Sequence, residues 1–283
     1  IATQQQLLQL EPTSLVSVND GRDWTTVVTI ELATTLNNLG LLFDEAENSK
    51  DASTVYRRAI GLLETSHQDP SLLASIHANL AGLLSKRSPD EAIEFAQKAL
   101  TQQTAALERN RGDAALATQV VLTLNTLGTA YAQRSQHDQA IESFEQAIEI
   151  VKQLHTRWPD SPTYQRDLVL SLNHLGLSLA AIGRPADAVK AFESALTQQR
   201  SLAQSFPADA EVQSMLGGVL NNVGFMQRKL GNVRIAQWHF AEAVEHQSRA
   251  VQLAPEVPRY QSYLAKHQHN SLNVNTVRST QND

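Results

Sequence analysis

The sequence predicts an all-α chain, an α-solenoid of stacked antiparallel helix hairpins. Three observations predict it: a helix-forming composition, a short string that recurs along the chain, and prolines at a fixed distance behind that string. Ala, Leu, Gln and Glu recur throughout the 283 residues, whereas Val-Thr-Ile-Tyr alternation is rare, a balance that favours helix over strand. The recurring string is Leu36-Asn37-Asn38-Leu39-Gly40, met again at Leu124-Asn125-Thr126-Leu127-Gly128, Leu172-Asn173-His174-Leu175-Gly176 and Leu220-Asn221-Asn222-Val223-Gly224. Four of the chain's twelve glycines fall in this one register, which chance does not explain.

Each string is the start of a two-helix unit. Twelve residues after its glycine stands an alanine (Ala52, Ala140, Ala188, Ala236), four further an aromatic (Tyr56, Phe144, Phe192, Phe240), and three beyond that another alanine (Ala59, Ala147, Ala195, Ala243). At 3.6 residues per turn the two large residues and the glycine of the string share one face, so the string belongs to a helix A. The Ala-aromatic-Ala set belongs to a helix B, and small residues on both let the pair approach closely. Pro159, Pro207 and Pro255 then stop three of the B helices. A weaker copy, Leu80-Ala81 followed by Ala92, Ala96 and Ala99, lacks one residue in its turn. In order, the chain reads as a half repeat over 1–11, full repeats over about 24–68, 70–110, 112–158, 162–206 and 209–254, a half repeat over 257–274, and a polar tail over 275–283 expected to be disordered. Ser88-Pro89-Asp90-Glu91 reads as an N-cap with proline at N1 and a capping-box glutamate, and Gly183 and Gly231 suit helix C-termini. Ile1 falls in register with Ala99 and Ala195, so the array is expected to be part of a longer protein.

Composition excludes several function classes. A net charge of −6 without any Lys/Arg block argues against a nucleic-acid surface. The absence of cysteine removes disulfides and thiolate metal sites. The stretch Leu168–Ile182 reads as the most apolar, yet it carries Asn173 and His174 and is too short to span a bilayer, so no membrane insertion of this segment is expected. The sequence fixes no compartment, with the cytoplasm favoured. There is no phosphate-binding loop, dinucleotide fingerprint, zinc-helix motif or nucleophile elbow, so no catalytic residue, metal or cofactor is assigned. His239, His246 and Glu242 share a helix face, and the bland reading of solvated helix residues is preferred over a metal site. His77 and His174 read as polar packing residues, Gly217, Gly218 and Gly224 as packing glycines, and Trp24, Trp158 and Trp238 as contacts between repeats.

This pattern of a large residue, Leu-Gly, Ala, aromatic and Ala resembles the tetratricopeptide repeat. In that family's positions, Leu is 4 and 7, Gly is 8, the alanines are 20 and 27, and the aromatic is 24. One departure is the period, about 34 residues in the family but 48 between Gly128, Gly176 and Gly224. The resemblance implies a superhelix whose A helices line a concave groove that holds an extended peptide or partner protein. It therefore implies an asparagine ladder at position 5 (Asn37, Asn125, Asn173, Asn221 and, in the last half copy, Asn270), apolar contacts at position 9 (Leu41, Leu177, Phe225), and Arg228 beside them. The alternative is that these asparagines bond the adjacent repeat and fix the stacking; position 6 is also polar (Asn38, Asn79, Thr126, His174, Asn222). Members that grip a terminal carboxylate use groove Lys and Arg, and only Arg228 and Lys229 stand at the corresponding places considered, so a carboxylate clamp is not expected. The function implied is a non-catalytic protein-protein interaction scaffold, monomeric or weakly self-associating end to end. The expanded repeats also look like those that follow the catalytic domain of bacterial serine/threonine protein kinases, which gives a second reading: the regulatory part of such an enzyme.

Overall fold

A computed structural model describes residues 24–66 and 69–274. The half repeat over 1–11, the segment from Pro12 to Asp23 and the tail over 275–283 lie outside them. Among the described residues there are eleven α-helices: α1 Trp24–Glu45, α2 Ser49–Ser66, α3 Pro70–Leu84, α4 Pro89–Arg109, α5 Ala114–Gln133, α6 His137–Arg157, α7 Pro162–Ala181, α8 Pro185–Ser205, α9 Ala210–Lys229, α10 Val233–Leu253 and α11 Pro258–Leu272. The chain divides into two compact units, 1–135 and 136–283. In the first, α1 pairs with α2 and α3 with α4, α2 packs on α3 and α4 on α5, and the A helices α1, α3 and α5 touch in turn. In the second, α7 pairs with α8 and α9 with α10. There α6 packs on α7, α8 on α9 and α10 on α11, while α9 touches α11. This is the sequential hairpin packing expected from the repeat.

The period is regular from α4 onward. The A helices begin at Ala114, Pro162, Ala210 and Pro258 and the B helices at Pro89, His137, Pro185 and Val233, 48 residues apart in each set. Proline stands at the start of α3, α4, α7, α8 and α11, where its missing N–H has no intrahelical partner to lose. Asp69, Asp113 and Asp209 cap three A helices, accepting from the amides of Leu72 at 2.9 Å, Leu116 at 3.0 Å and Val212 at 3.1 Å. The expected capping box at Ser88 does not form: its side chain makes no cap bond, and the Glu91 carboxylate is taken by Arg57 of α2.

The core is built from the repeat's own positions. All four alanines at position 20, all four at position 27, and Tyr56, Phe192 and Phe240 at position 24 have no exposed surface. Position 24 also explains the glycine at position 8. A Cβ on Gly176 would stand 2.6 Å from the Phe192 ring, and one on Gly224 would stand 3.0 Å from that of Phe240. Gly40 lies against Tyr56 in the same way. The ring of helix B therefore lies on the bare backbone of helix A. Gly217 is likewise packed, since a Cβ there would stand 3.0 Å from the Ala243 carbonyl oxygen, but Gly218 is not: a Cβ there would meet nothing within 4 Å.

Among the described residues α1, over Thr25–Glu45, is the helix long and apolar enough to cross a membrane, not the stretch around Leu168. Its Ala33 and Leu36 are buried in one core cluster with Ala52, Tyr56 and Ala59 of α2, the contacts of an ordinary helix A.

Four of the five A-to-B turns place one left-handed residue seven after position 8, while the shorter α3–α4 turn has none. Gly183 and Gly231 supply it at φ 76° and 82°, whereas Glu47 and Ser135 hold it at 56° and 58°. A side chain in that conformation costs about 1–2 kcal/mol that glycine does not. Ser135→Gly should therefore raise the unfolding free energy by about 1 kcal/mol, read as a higher urea midpoint; an unchanged or lowered midpoint would show that the turn is not strained.

Candidate functional site

The asparagines of helix A bond from repeat to repeat. Asn79 Nδ2 donates to Asn37 Oδ1 at 2.9 Å, Asn222 Nδ2 to Asn173 Oδ1 at 2.9 Å, and Asn270 Nδ2 to Asn221 Oδ1 at 2.8 Å. In each pair the acceptor stands at position 5 of one repeat and the donor one place further along in the next. Asn270 is thus the counterpart of Asn222, at position 6 and not position 5, because α11 follows α9 at the 48-residue interval. Each bond is worth about 1 kcal/mol, and it also fixes the register of two A helices. Asn125 stands apart: it is 5% exposed and neither its Nδ2 nor its Oδ1 has a hydrogen-bond partner.

Buried glutamines reinforce the stacking from the B side. Gln199 Nε2 donates to the Val212 carbonyl at 2.9 Å and Gln247 Nε2 to the Tyr260 carbonyl at 3.0 Å, while Gln247 Oε1 accepts from Ser214. Each ties the last turns of one B helix to the third residue of the next A helix. Their 48-residue spacing was the available signal in the sequence. On the outer helices Arg57 pairs with Glu91 and Arg200 with Glu242; these bridges are substantially exposed and each adds at most about 1 kcal/mol.

The same A helices enclose a groove in each unit. That of the second unit has a volume of about 460 Å³ and runs over α7, α9 and α11, with Asn173, Leu177, Met215, Asn221, Asn222 and Tyr263 in its wall. That of the first, about 310 Å³, runs over α1, α3 and α5 and includes Leu41, Asp44, Asn79 and Leu122. Of the residues expected to bind a peptide, Asn173, Leu177 and Asn221 line the second groove and Leu41 the first. Asn37, Asn125 and Asn270 are not in either wall. Phe225 packs against a small cluster of Ala236, Phe240 and Val274. Arg228 lies 4.9 Å over the Phe225 ring and donates to the Asn273 carbonyl. These two close the end of the second unit. Sequence reasoning missed Arg259, Tyr263 and Lys266 of α11 and the open Gly218. A strict 48-residue register would have found two of them, because Leu170, Gly218 and Lys266 occupy one equivalent position.

The histidine and tryptophan side chains that the structure describes serve packing or lie exposed. His77, at position 4 where the other copies have leucine, stacks on Phe95 with both ring nitrogens unpartnered. Burial holds His77, His239 and His267 down at about 4. His246 bonds Gln213 at 2.8 Å, and among the described residues no group of three or more His, Asp or Glu side chains could hold a metal ion. Trp238 is 52% exposed with Arg200 over its ring, so it does not pack between repeats.

A periodic stack of antiparallel hairpins, with one helix of each pair lining a groove, defines a helical-repeat protein of the interaction class. Over residues 72–201 the repeats match the tetratricopeptide-repeat family model, in two overlapping stretches, 72–153 and 119–201. The fold is similar to BtubC (BKLC) from P. vanneervenii, at 21% identity and TM-score 0.60, covering 78% of this chain and 82% of that one. It is also similar to the apo form of RapI (15% identity, TM-score 0.61, 84% of each chain). A third similar structure is a Rap protein complexed with Competence and Sporulation Factor, at 16% identity and TM-score 0.58, covering 96% of this chain and 66% of that one. No curated protein matches the sequence at a significant level.

The buried histidines set a pH dependence. Their folded pKa lies below the ordinary value of 6.5, so between pH 6.5 and 4 the unfolded chain binds more protons and stability falls on acidification. Asp167, raised by burial to about 6, acts in the opposite sense but is one group against three. His77→Leu, which restores the residue of the other copies, should raise stability by about 1–2 kcal/mol at neutral pH. It should also flatten the decline of melting temperature between pH 6.5 and 4.5. A variant with the parent's pH profile would contradict this.

Proposed function

We propose that the chain is a non-catalytic interaction scaffold and that the groove over α7, α9 and α11 holds an extended segment of a partner protein. The observation that carries this is the way the amide pairs are used. Each pair consumes one oxygen and one amino group, leaving the Asn173 amino group and the Asn222 oxygen beside the groove. A donor and an acceptor on one wall match the alternating groups of an extended backbone, while Leu177 and Met215 offer apolar contact. Stacking and recognition are thus compatible roles for one set of residues. A fold neighbour complexed with Competence and Sporulation Factor supports a ligand-holding use of this architecture. The expanded repeat, 48 residues long from α4 onward, supports the second reading, in which this scaffold is the regulatory part of a larger enzyme of the bacterial serine/threonine kinase type. A kinase glycine-rich loop and catalytic loop encoded upstream in the same frame would confirm it.

Short peptides selected from a displayed random library on the wild-type protein test the groove. Leu177, 48% exposed, can become Glu with little effect on melting temperature, and Leu177→Glu should bind the selected peptides at least ten-fold more weakly. Asn173→Ala should weaken binding and lower the melting temperature together, since its oxygen also holds Asn222. Failure to enrich any peptide, or equal binding by Leu177→Glu, would overturn the proposal.

A further inference from the structure

A glycine inside a helix costs roughly 1 kcal/mol relative to alanine, so each one needs a reason. Phe192 and Phe240 supply it at Gly176 and Gly224, and the Ala243 carbonyl supplies it at Gly217. No packing contact supplies it at Gly61, Gly82 or Gly218, where an added Cβ would meet nothing within 4 Å, and of these three Gly218 is the one in the groove over α7, α9 and α11. Gly218 lies in the groove wall with Leu170, Met215, Tyr263 and Lys266. By the repeat register it stands where the preceding repeat has Leu170 and the following has Lys266. It is therefore a bare place between a leucine and a lysine, walled by a methionine and a tyrosine: a notch in an otherwise lined groove.

The charges around it are uneven. Three charged side chains line this groove, Glu211, Arg259 and Lys266. Glu211 lies close enough to Arg259 to act on it electrostatically, whereas Lys266 is in no ion pair found among the described residues. In a chain of net charge −6, the uncommitted charge in this groove is a cation one repeat away from the notch.

We infer that the notch at Gly218 seats one large apolar side chain of the partner segment, a leucine, methionine or phenylalanine, and that an acidic residue of the same segment lies over Lys266. Neighbouring helices lie about 8–10 Å apart, a distance an extended chain covers in about three residues at ~3.3 Å each, so the two features are about three residues apart in the partner. The inference rests on the groove reading above and adds the chemistry of what the groove selects.

The library of random peptides, selected in parallel on wild type, Gly218→Leu, Gly218→Ala and Lys266→Glu, separates the two. Gly218→Leu fills the notch in open space, and circular dichroism checks that both glycine variants keep their helicity. Wild type should enrich peptides with a large apolar residue followed or preceded at that spacing by Asp or Glu. Gly218→Leu should lose the apolar preference, with at least ten-fold weaker binding of the wild-type peptides and Gly218→Ala intermediate. Lys266→Glu should replace the acidic preference by Lys or Arg. Peptides enriched by wild type without this pattern, or a pattern unchanged in Gly218→Leu and Lys266→Glu, would overturn the inference and leave the groove reading standing. No enrichment on any protein would overturn both.

Discussion

The rest of the structure depends on one contact, the ring at position 24 lying against a glycine at position 8. It brings helix B down onto the backbone of helix A at Gly40, Gly176 and Gly224. That close approach explains why alanine and no larger residue fills positions 20 and 27, all of them without exposed surface. With the hairpin fixed at its middle, the outer ends of both helices are free to lengthen. The B helices of 21 residues and A helices of 20 are therefore compatible with the same core. The extra turns change the period but not the contact on which each pair is built.

Hairpins of fixed geometry still need a register relative to one another, and buried glutamines with half-buried asparagine pairs provide it. Apolar surfaces slide with little penalty, whereas an asparagine or glutamine that loses its partner inside the protein is left with unsatisfied groups at a cost of about 1–3 kcal/mol. The pairs Asn79–Asn37, Asn222–Asn173 and Asn270–Asn221, together with Gln199 and Gln247, thus select one stacking among several. Because the asparagine pairs lie on the A-helix face, specifying the stack also sets polar groups beside the groove.

Much of the fold was legible in the sequence because the determining contact uses distinctive residues. A glycine, an aromatic and small alanines at fixed spacing cannot be mistaken for surface variation, and the alanines alone marked the weaker copy, where Ala81 and Ala96 replace the glycine and the aromatic. The groove was less legible. Its wall is made of residues that the fold leaves free to vary, such as Met215, Tyr263 and Lys266, and nothing local distinguishes Lys266 from any exposed lysine. Phe225 matched the groove position yet turned to cover the end of the unit with Val274, a contact made by residues beyond the repeat. Ser88 and Glu91 carried the capping signature, but Arg57 on a neighbouring helix competed successfully for the carboxylate. Local signals failed where tertiary partners were stronger.

The central claim, that the ring on the bare backbone sets the hairpin, is tested most directly by a double-mutant cycle of Gly176→Ala and Phe192→Leu, read by urea unfolding. Adding the methyl to the wild-type protein should lower stability by about 1–3 kcal/mol through overpacking. In the Phe192→Leu background the same methyl should be nearly neutral or stabilising, giving a coupling energy above about 1 kcal/mol. An equal effect of Gly176→Ala in both backgrounds would contradict the account.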